Sequence, residues 1–278
     1  MHQRLVWVTD PHLNHVALPA WQRWIDAVCS RKPGALLITG DISEADDVVF
    51  QLRRVAEAVE VPIHFILGNH DFYRSSIAKT RGQVIDACRE DPRLHYLTDC
   101  RPIELADGMF LAGDDGWGDA TIGDYEHTPI RLNDFALIED FSLSDPANWK
   151  AMLTEQGAAS AERLTEKLHS LPSRAKHLLI PTHVPPFRES CWYEGKTTDD
   201  DWAPFFVCGC VGEALIAAAK SRPDVKFTVL CGHTHHQGVA EIRDNLIVYT
   251  GAAQYGSPEV EGTVEISADG FEISTSAS

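Results

Sequence analysis

In Ile63-His64-Phe65-Ile66-Leu67-Gly68-Asn69-His70-Asp71 an apolar run stops at a glycine and then delivers an amide, an imidazole and a carboxylate in three consecutive positions. The pattern recurs along the chain. Leu5-Val6-Trp7-Val8-Thr9 ends in Asp10-Pro11-His12, and Ala35-Leu36-Leu37-Ile38-Thr39-Gly40 ends in Asp41. His177-Leu178-Leu179-Ile180-Pro181-Thr182 ends in His183, and Phe227-Thr228-Val229-Leu230-Cys231-Gly232 ends in His233-Thr234-His235. Short apolar runs bounded in this way predict buried strands. In open α/β sheets, ligands bind beyond the carboxyl ends of such strands. Five strand ends that each present an Asp, Asn or His therefore predict one site, and the residue types indicate metal.

Between the strands the period changes to that of amphipathic helices. Trp21, Trp24, Ile25 and Val28 follow Pro19 at helical spacing, and Val48, Leu52, Val55, Ala56 and Val59 follow Ser43, with Asp46 three residues on as the partner in a capping box. Residues 75–90 predict a third helix, Leu164, Leu168 and Leu171 mark a fourth, and Ala214 to Ala219 a fifth. After His235 come four short strands, 238–242, 246–250, 263–266 and 271–274, with turns at Asp244-Asn245 and Asp269-Gly270. Two stretches, 113–147 and 184–209, fit neither period. Long loops in compact domains are usually functional or disordered, and the aromatic content here favours ordered loops bordering the site. With no repeat and no linker, residues 1–278 are expected to form one domain.

A chain of 278 residues, 44% apolar and 23% charged, has the composition of a globular protein with ample material for a core. No apolar stretch approaches the length of a membrane span. The first strand begins by residue 4 or 5, which leaves no room for a signal peptide. Seven cysteines without a regular framework suggest reduced thiols and a cytoplasmic location. Acidic residues outnumber basic ones 41 to 24, for a net charge of −17, and no basic run offers a nucleic-acid or anionic-membrane surface. A small phosphorylated substrate remains compatible, since bound cations reverse the local field.

The candidate ligands are Asp10, His12, Asp41, Asn69, His183, His233 and His235. In extended chain the two residues of Asp10-x-His12 share one face, as do those of His233-x-His235. The adjacent Asn69 and His70 point apart, so Asn69 is expected to bind metal through its amide oxygen while His70 faces substrate. Seven O and N donors without a thiolate are too many for one tetrahedral zinc and suit two divalent ions, Mn, Fe or Zn, sharing a bridging carboxylate. Such a pair, about 3.5–4 Å apart, can lower the pKa of bound water to about 7.

Asp10-x-His12, Gly40-Asp41, Gly68-Asn69-His70-Asp71, His183 and Gly232-His233-x-His235, in this order, resemble the calcineurin-like metallophosphoesterases across residues 4 to about 250. The resemblance implies an α/β/β/α sandwich, two mixed β-sheets face to face with helices outside. It implies that Asp10, His12 and His235 hold one ion and Asn69, His183 and His233 the other, with Asp41 bridging. It further implies that a metal-bridging hydroxide attacks phosphorus in line, and that His70 stabilises the transition state or protonates the leaving oxygen. Asp71 or Glu44 would orient His70. The phosphoprotein phosphatases of this family continue the Gly-Asp with a Val-Asp-Arg-Gly type sequence, whereas Gly40-Asp41-Ile42-Ser43-Glu44-Ala45 has no such Arg. The layout is closer to the bacterial phosphodiesterase branch. The expected activity is hydrolysis of a small phosphodiester; the alternatives are a small-molecule phosphomonoesterase, then a metal-dependent nuclease or a non-catalytic scaffold.

Outside this set the chemistry thins out. Arg74 is the preferred phosphate contact over Arg131 and Arg188, and Trp117 and Trp192, with Tyr125 and Tyr193, could stack on a leaving group or pin the loops. His2, His64, His95, His127, His169, His177 and His236 read as structural or exposed, and His15 as a loop residue. Asp199-Asp200-Asp201 reads as a solvated acidic loop. Oligomeric state has no signature in the sequence.

Overall fold

The structure, a computed structural model, describes residues 3–267 and 269–275; His2 lies outside them. Among the described residues the strands are β1 Gln3–Val8, β2 Ala35–Thr39, β3 Ile63–Ile66, β4 Leu94–Tyr96, β5 Ile103–Ala106, β6 Met109–Leu111, β7 His177–Pro181, β8 Trp192–Tyr193, β9 Lys196–Thr197, β10 Lys226–Cys231, β11 Gly238–Arg243, β12 Leu246–Thr250, β13 Gly262–Ser267 and β14 Gly270–Thr275. The helices are α1 Leu18–Ser30, α2 Ala45–Val59, α3 Ile77–Glu90, the single turns α4 Asp134–Leu137 and α5 Glu139–Ser142, α6 Trp149–Ser170, the turn α7 Ala203–Phe206, and α8 Gly209–Ser221.

Two six-stranded sheets result, in the orders β14-β13-β1-β2-β3-β4 and β11-β12-β10-β7-β6-β5. Both are mixed. Strands β1 to β4 run parallel, β13 runs antiparallel to β1, and β14, antiparallel to β13, returns to the common direction; in the second sheet β6, β7, β10 and β12 are parallel and the edges β5 and β11 antiparallel. The central strands read as unbroken apolar runs because both their faces are covered. Leu5, Trp7, Leu37, Leu179 and Leu230 pack between the sheets. The alternate residues Val6, Val8, Leu36 and Ile38 pack under α1, α2 and α3, and Leu178, Ile180 and Val229 under α6 and α8. This is the expected four-layer α/β/β/α sandwich. No helix among the described residues is long and apolar enough to cross a membrane.

Three local expectations need correction. Helix α2 is not opened by a Ser43 capping box: Glu44 occupies the N-cap without a side-chain bond, and the Ser43 hydroxyl donates to Asp47 Oδ2 at 2.7 Å. Helix α6 spans 22 residues, far beyond its leucines, because its buried face continues through Leu153, Gly157 and Ser160. The two aperiodic stretches, expected as ordered loops, are not loop throughout: they contain α4, α5, α7 and the β8–β9 hairpin.

Beneath the strand ends a buried ion pair ties the sheets together. Asp115 accepts from the Arg81 guanidinium at 2.9 and 3.1 Å, from Thr98 Oγ1 at 2.7 Å and from the Leu67 amide at 2.8 Å. Its backbone carbonyl accepts from the amide of His183. One residue thereby holds the chain leaving β3 against the chain leaving β7.

His64, on β3, is 6% exposed, its Nδ1 has no partner, and its ring lies 4.9 Å from that of His95. Burial, reinforced by His95, lowers its pKa to about 4. Between pH 4 and 6.5 the unfolded chain binds a proton here that the folded chain refuses, so stability rises with pH across that window. In metal-free protein His64 should cost about 3 kcal/mol at pH 4 relative to pH 7. Urea unfolding at both pH values should show that much less pH dependence in His64→Phe; an unchanged slope would assign it to other groups.

Candidate metal centre

The carboxyl ends of β1, β2 and β3 in one sheet and of β7 and β10 in the other meet at one place. The seven residues singled out as ligands lie there, but the extended geometry expected for Asp10-x-His12 and His233-x-His235 is not what brings them together. Asp10 (φ 45°), His12 (φ 39°), Asp41 (φ 50°), His233 (φ 68°) and His235 (φ 58°) are all left-handed. Each is a non-glycine in a sparsely populated region, at a cost of order 1–3 kcal/mol. The chain turns sharply off each strand, and that turn aims the side chain back across the strand end.

The loops pin one another. The amides of Asp10 and His12 donate to the carbonyls of Gly40 and Asp41, and the amide of Gly232 donates to the carbonyl of His183. The amide of His233 donates to both carboxylate oxygens of Asp10 at 3.1 Å, and His183 Nδ1 meets the carbonyl of Thr39 at 2.9 Å. Gly68 and Gly232 sit where side chains cross the backbone. A Cβ on Gly68 would lie 2.2 Å from Asp41 Oδ1, and one on Gly232 would lie 2.1 Å from Asp10 Oδ2.

Two groups of donors converge. In the first, Asp10, His12, Asp41 and His235 place their ligand atoms within 4.8 Å of one another. His12 Nε2 is 3.1 Å from His235 Nε2 and 3.7 Å from Asp41 Oδ2, and His235 Nε2 is 3.4 Å from Asp10 Oδ1. In the second, the ligand atoms of Asp41, His183 and His233 likewise lie within 4.8 Å of one another. His183 Nε2 is 3.2 Å from His233 Nδ1, 3.2 Å from Asn69 Oδ1 and 3.4 Å from Asp41 Oδ1. Asp41 belongs to both groups, one oxygen turned to each.

Proton bookkeeping fits cations at this place. A carbonyl can only accept, so the Thr39 carbonyl puts the proton of His183 on Nδ1, and the carbonyl of Phe205, 3.2 Å from His233 Nε2, puts that ring's proton on Nε2. Asn69 donates Nδ2–H to Asp134 Oδ1 at 2.8 Å. Three lone pairs, on His183 Nε2, His233 Nδ1 and Asn69 Oδ1, then face one another with no donor between them. This is the pattern of histidine ligands oriented by outer hydrogen bonds. Burial lowers His183, but the Asp41 and Asp10 carboxylates outweigh it and raise it to about 10, so without a cation a proton fills this gap. Burial, with His183 beside it, lowers His233 to about 3, and burial lowers His12 to about 4. Both therefore present neutral nitrogens at neutral pH. For Asp10 burial acts upward, yet His183 and His235 prevail and hold it at about 2.

His70 is adjacent. Its amide donates to Asp41 Oδ1 at 2.9 Å, and its Nε2 lies 3.9 Å from Asp41 Oδ2. Neither carboxylate expected to orient the ring is committed to it. Asp71 accepts from the amides of Ser43 and Gly68 at 2.8 and 2.9 Å, holding two loops together, and burial followed by the Asp41 charge raises it to about 8. Glu44 pairs with Arg74 at 3.0 Å. What lies against His70 is the Tyr73 ring, 4.3 Å away between centroids.

An open groove of about 540 Å³ begins at His70 and is lined by His15, Glu44, Tyr73, Asn133, Leu137 and Tyr255. His15 is thus a groove residue rather than a plain loop histidine. Arg74 lines an adjoining hollow with Glu44 and His15. Trp117 and Trp192, expected at the substrate, do not line this groove, although Trp117 borders a small pocket behind Asn69 and His233. Trp117 is 4% exposed and packs against Phe72 and Phe141, and Trp192 lies against Gly238 at the start of β11. Sequence reasoning missed Tyr73, Asp134 and Tyr255. The Tyr255 ring is half-exposed and lies 4.3 Å from that of His12. None of the three ends an apolar run, and only the Tyr73 position, three after His70, carried a proximity signal.

A pair of buried Asp/His groups sharing one carboxylate, at the joined ends of two sheets, defines a centre able to hold two cations. The chain matches the calcineurin-like phosphoesterase family over residues 3–237 and belongs to it. That family consists of dimetal, metal-dependent phosphoric ester hydrolases. Among curated proteins none matches the chain in sequence. Among solved structures it is similar to phosphopantetheinyl hydrolase from Mycobacterium tuberculosis, at 14% identity and TM-score 0.65, over 92% of this chain and 90% of that one. It is also similar to a dimetal phosphatase from Danio rerio, at 13% identity and TM-score 0.58 over 94% and 92% of the two chains. A Thermus thermophilus protein aligns at 13% identity and TM-score 0.55 over 99% of both. At these identities the likeness is one of fold.

Gly68→Ala should drive its Cβ into Asp41 and disturb both donor groups at once. The expected result is loss of bound metal after dialysis, read by elemental analysis, with a destabilisation of about 1–3 kcal/mol. Full metal content would show that the Asp41 carboxylate can move aside without penalty.

Proposed function

We propose that the chain hydrolyses a small phosphodiester, using two divalent cations of the Mn, Fe or Zn type. The observation that carries the diester reading is the groove beside His70. It is roomy, and Arg74, the one Arg at its edge among the described residues, is already paired with Glu44. A phosphomonoester dianion would gain from a further cation; a diester monoanion has less charge to neutralise and a second organic arm to accommodate.

Asp10, His12 and His235 would hold one ion and Asn69, His183 and His233 the other, with Asp41 placed to serve both. Bound there, the ions supply a nucleophilic water at neutral pH and neutralise charge on the phosphate. The protein's own part is orientation and proton delivery. The Thr39 and Phe205 carbonyls hold the outer N–H of His183 and His233, so that in the neutral rings the inward nitrogens offer lone pairs to the cations. His70, its backbone held by Asp41 and its ring backed by Tyr73, gives an N–H to the leaving alcohol oxygen at the mouth of the groove. Its side chain is one-fifth exposed, enough to reach substrate while remaining fixed. Asp71 fastens the Ser43 and Gly68 loops, and Glu44 holds Arg74 at the edge. The charge of −17 argues for a small substrate rather than nucleic acid, and seven free cysteines fit a cytoplasmic setting.

On chelated protein resupplied with Mn²⁺, bis-p-nitrophenyl phosphate should turn over faster than p-nitrophenyl phosphate; preference for the monoester would overturn the diester reading. Asp41→Asn should lose both metal content and turnover. His70→Ala should keep both ions while kcat falls by about 10²–10⁴. The fall should be steepest for alkyl leaving groups, and parental kcat on an alkyl ester would remove His70 from the acid role.

A further inference from the structure

Asn69 is the one amide among the donors, and an amide is ambiguous. Its oxygen and nitrogen ends have nearly the same shape, but the oxygen offers lone pairs and the NH₂ end offers only protons, which repel a cation. Something outside the donor set must therefore keep the oxygen inward. Asp134, 65 residues later and the first residue of α4, does this by accepting Asn69 Nδ2–H at Oδ1, 2.8 Å away, which leaves Asn69 Oδ1 facing His183 Nε2. The same Oδ1 accepts the hydroxyl of Tyr73 at 2.8 Å, and Tyr73 is the residue whose ring lies against His70.

From this juxtaposition we infer that Asp134 is a positioning residue for both halves of the site. One buried oxygen sets the orientation of the metal-facing amide and fixes the platform behind the proton-donating histidine. The cost of its placement supports a functional role. Asp134 is 5% exposed, its hydrogen-bond donors are an amide and a phenol, and no Lys or Arg pairs with it among the described residues. Burying an acid on neutral donors is unfavourable, and an apolar residue would fill the same space at lower cost. The gain lies in what it orients. The inference rests on the dimetal reading above.

The test is Mn²⁺ binding by titration calorimetry and elemental analysis on the full chain. The parent should bind two ions. Asp134→Ala should keep one at parental affinity and bind the other ten- to a hundredfold more weakly. Asp134→Asn, which retains an acceptor oxygen, should recover most of that affinity. Asn69→Ala combined with Asp134→Ala should be no worse than Asn69→Ala alone, since the two act on one ligand. Tyr73→Phe should keep both ions and lower kcat with KM unchanged. If Asp134→Ala does not fold, Asp134→Ser, too short to reach Nδ2, should show the same selective loss. Two ions at parental affinity in Asp134→Ala or Asp134→Ser, or additive losses in the double variant, would overturn the inference alone. A parent chain that binds fewer than two ions would overturn the dimetal reading itself.

Discussion

The Asp41 carboxylate, 1% exposed, is the group around which the rest of the centre is arranged. A carboxylate buried to that degree costs several kcal/mol unless it is paired and hydrogen-bonded. Here Oδ1 takes the His70 amide and faces His183, while Oδ2 faces His12 and His70. These partners come from three different strand ends, so satisfying one carboxylate recruits β1, β3 and β7 at once. The same logic applies to Asp10, whose oxygens take the His233 amide and face His235. The two sheets are joined at this end by ligand side chains as much as by the apolar layer between them.

That arrangement explains where strain is tolerated. Five of the seven donor residues have left-handed backbone, a conformation that would relax if the loops were free. They are not free. The loop after β1 is hydrogen-bonded to the loop after β2, and that after β10 to that after β7. Asp71 and Asp115 clamp further amides from below. Each loop's strained residue is held by its neighbour's backbone, so the protein's own hydrogen bonds position the centre as a unit. Such preorganisation is what a binding site for small cations requires.

The sandwich and the place where the candidate donors converge were legible in the sequence for one physical reason: fully covered strands give continuous apolar runs, and the candidate donors sit where those runs stop. Asp10, Asp41, Asn69, His183 and His233 all sit in these places. The local geometry was less legible. Alternation placed Asp10 with His12 correctly for the wrong reason, because a left-handed turn also returns alternate side chains to one side. Tyr73, Asp134 and Tyr255 could not be read out, since they lie in short turns and loops where no period operates and proximity is created only by tertiary folding. Helix α6 was under-read because Gly157 and Ser160 interrupt its apolar stripe; Gly157 is required where Asp119 approaches to 2.3 Å of its would-be Cβ.

Charge completes the account of selectivity. A net −17 would repel any phosphate, yet screening confines that field to about 8 Å at physiological ionic strength, so only charges close to the groove count. Those are Glu44 with its paired Arg74, and Asp46 and Asp47 in the adjoining hollow. On the proposed reading, recognition of the scissile phosphate then falls to His70 and to the two cations, which with Asp10 and Asp41 would leave about +2 in the centre. Every further anionic group on a substrate would meet the acidic wall without a compensating cation. The same side chains that leave the phosphate to the metals thereby restrict what can be attached to it.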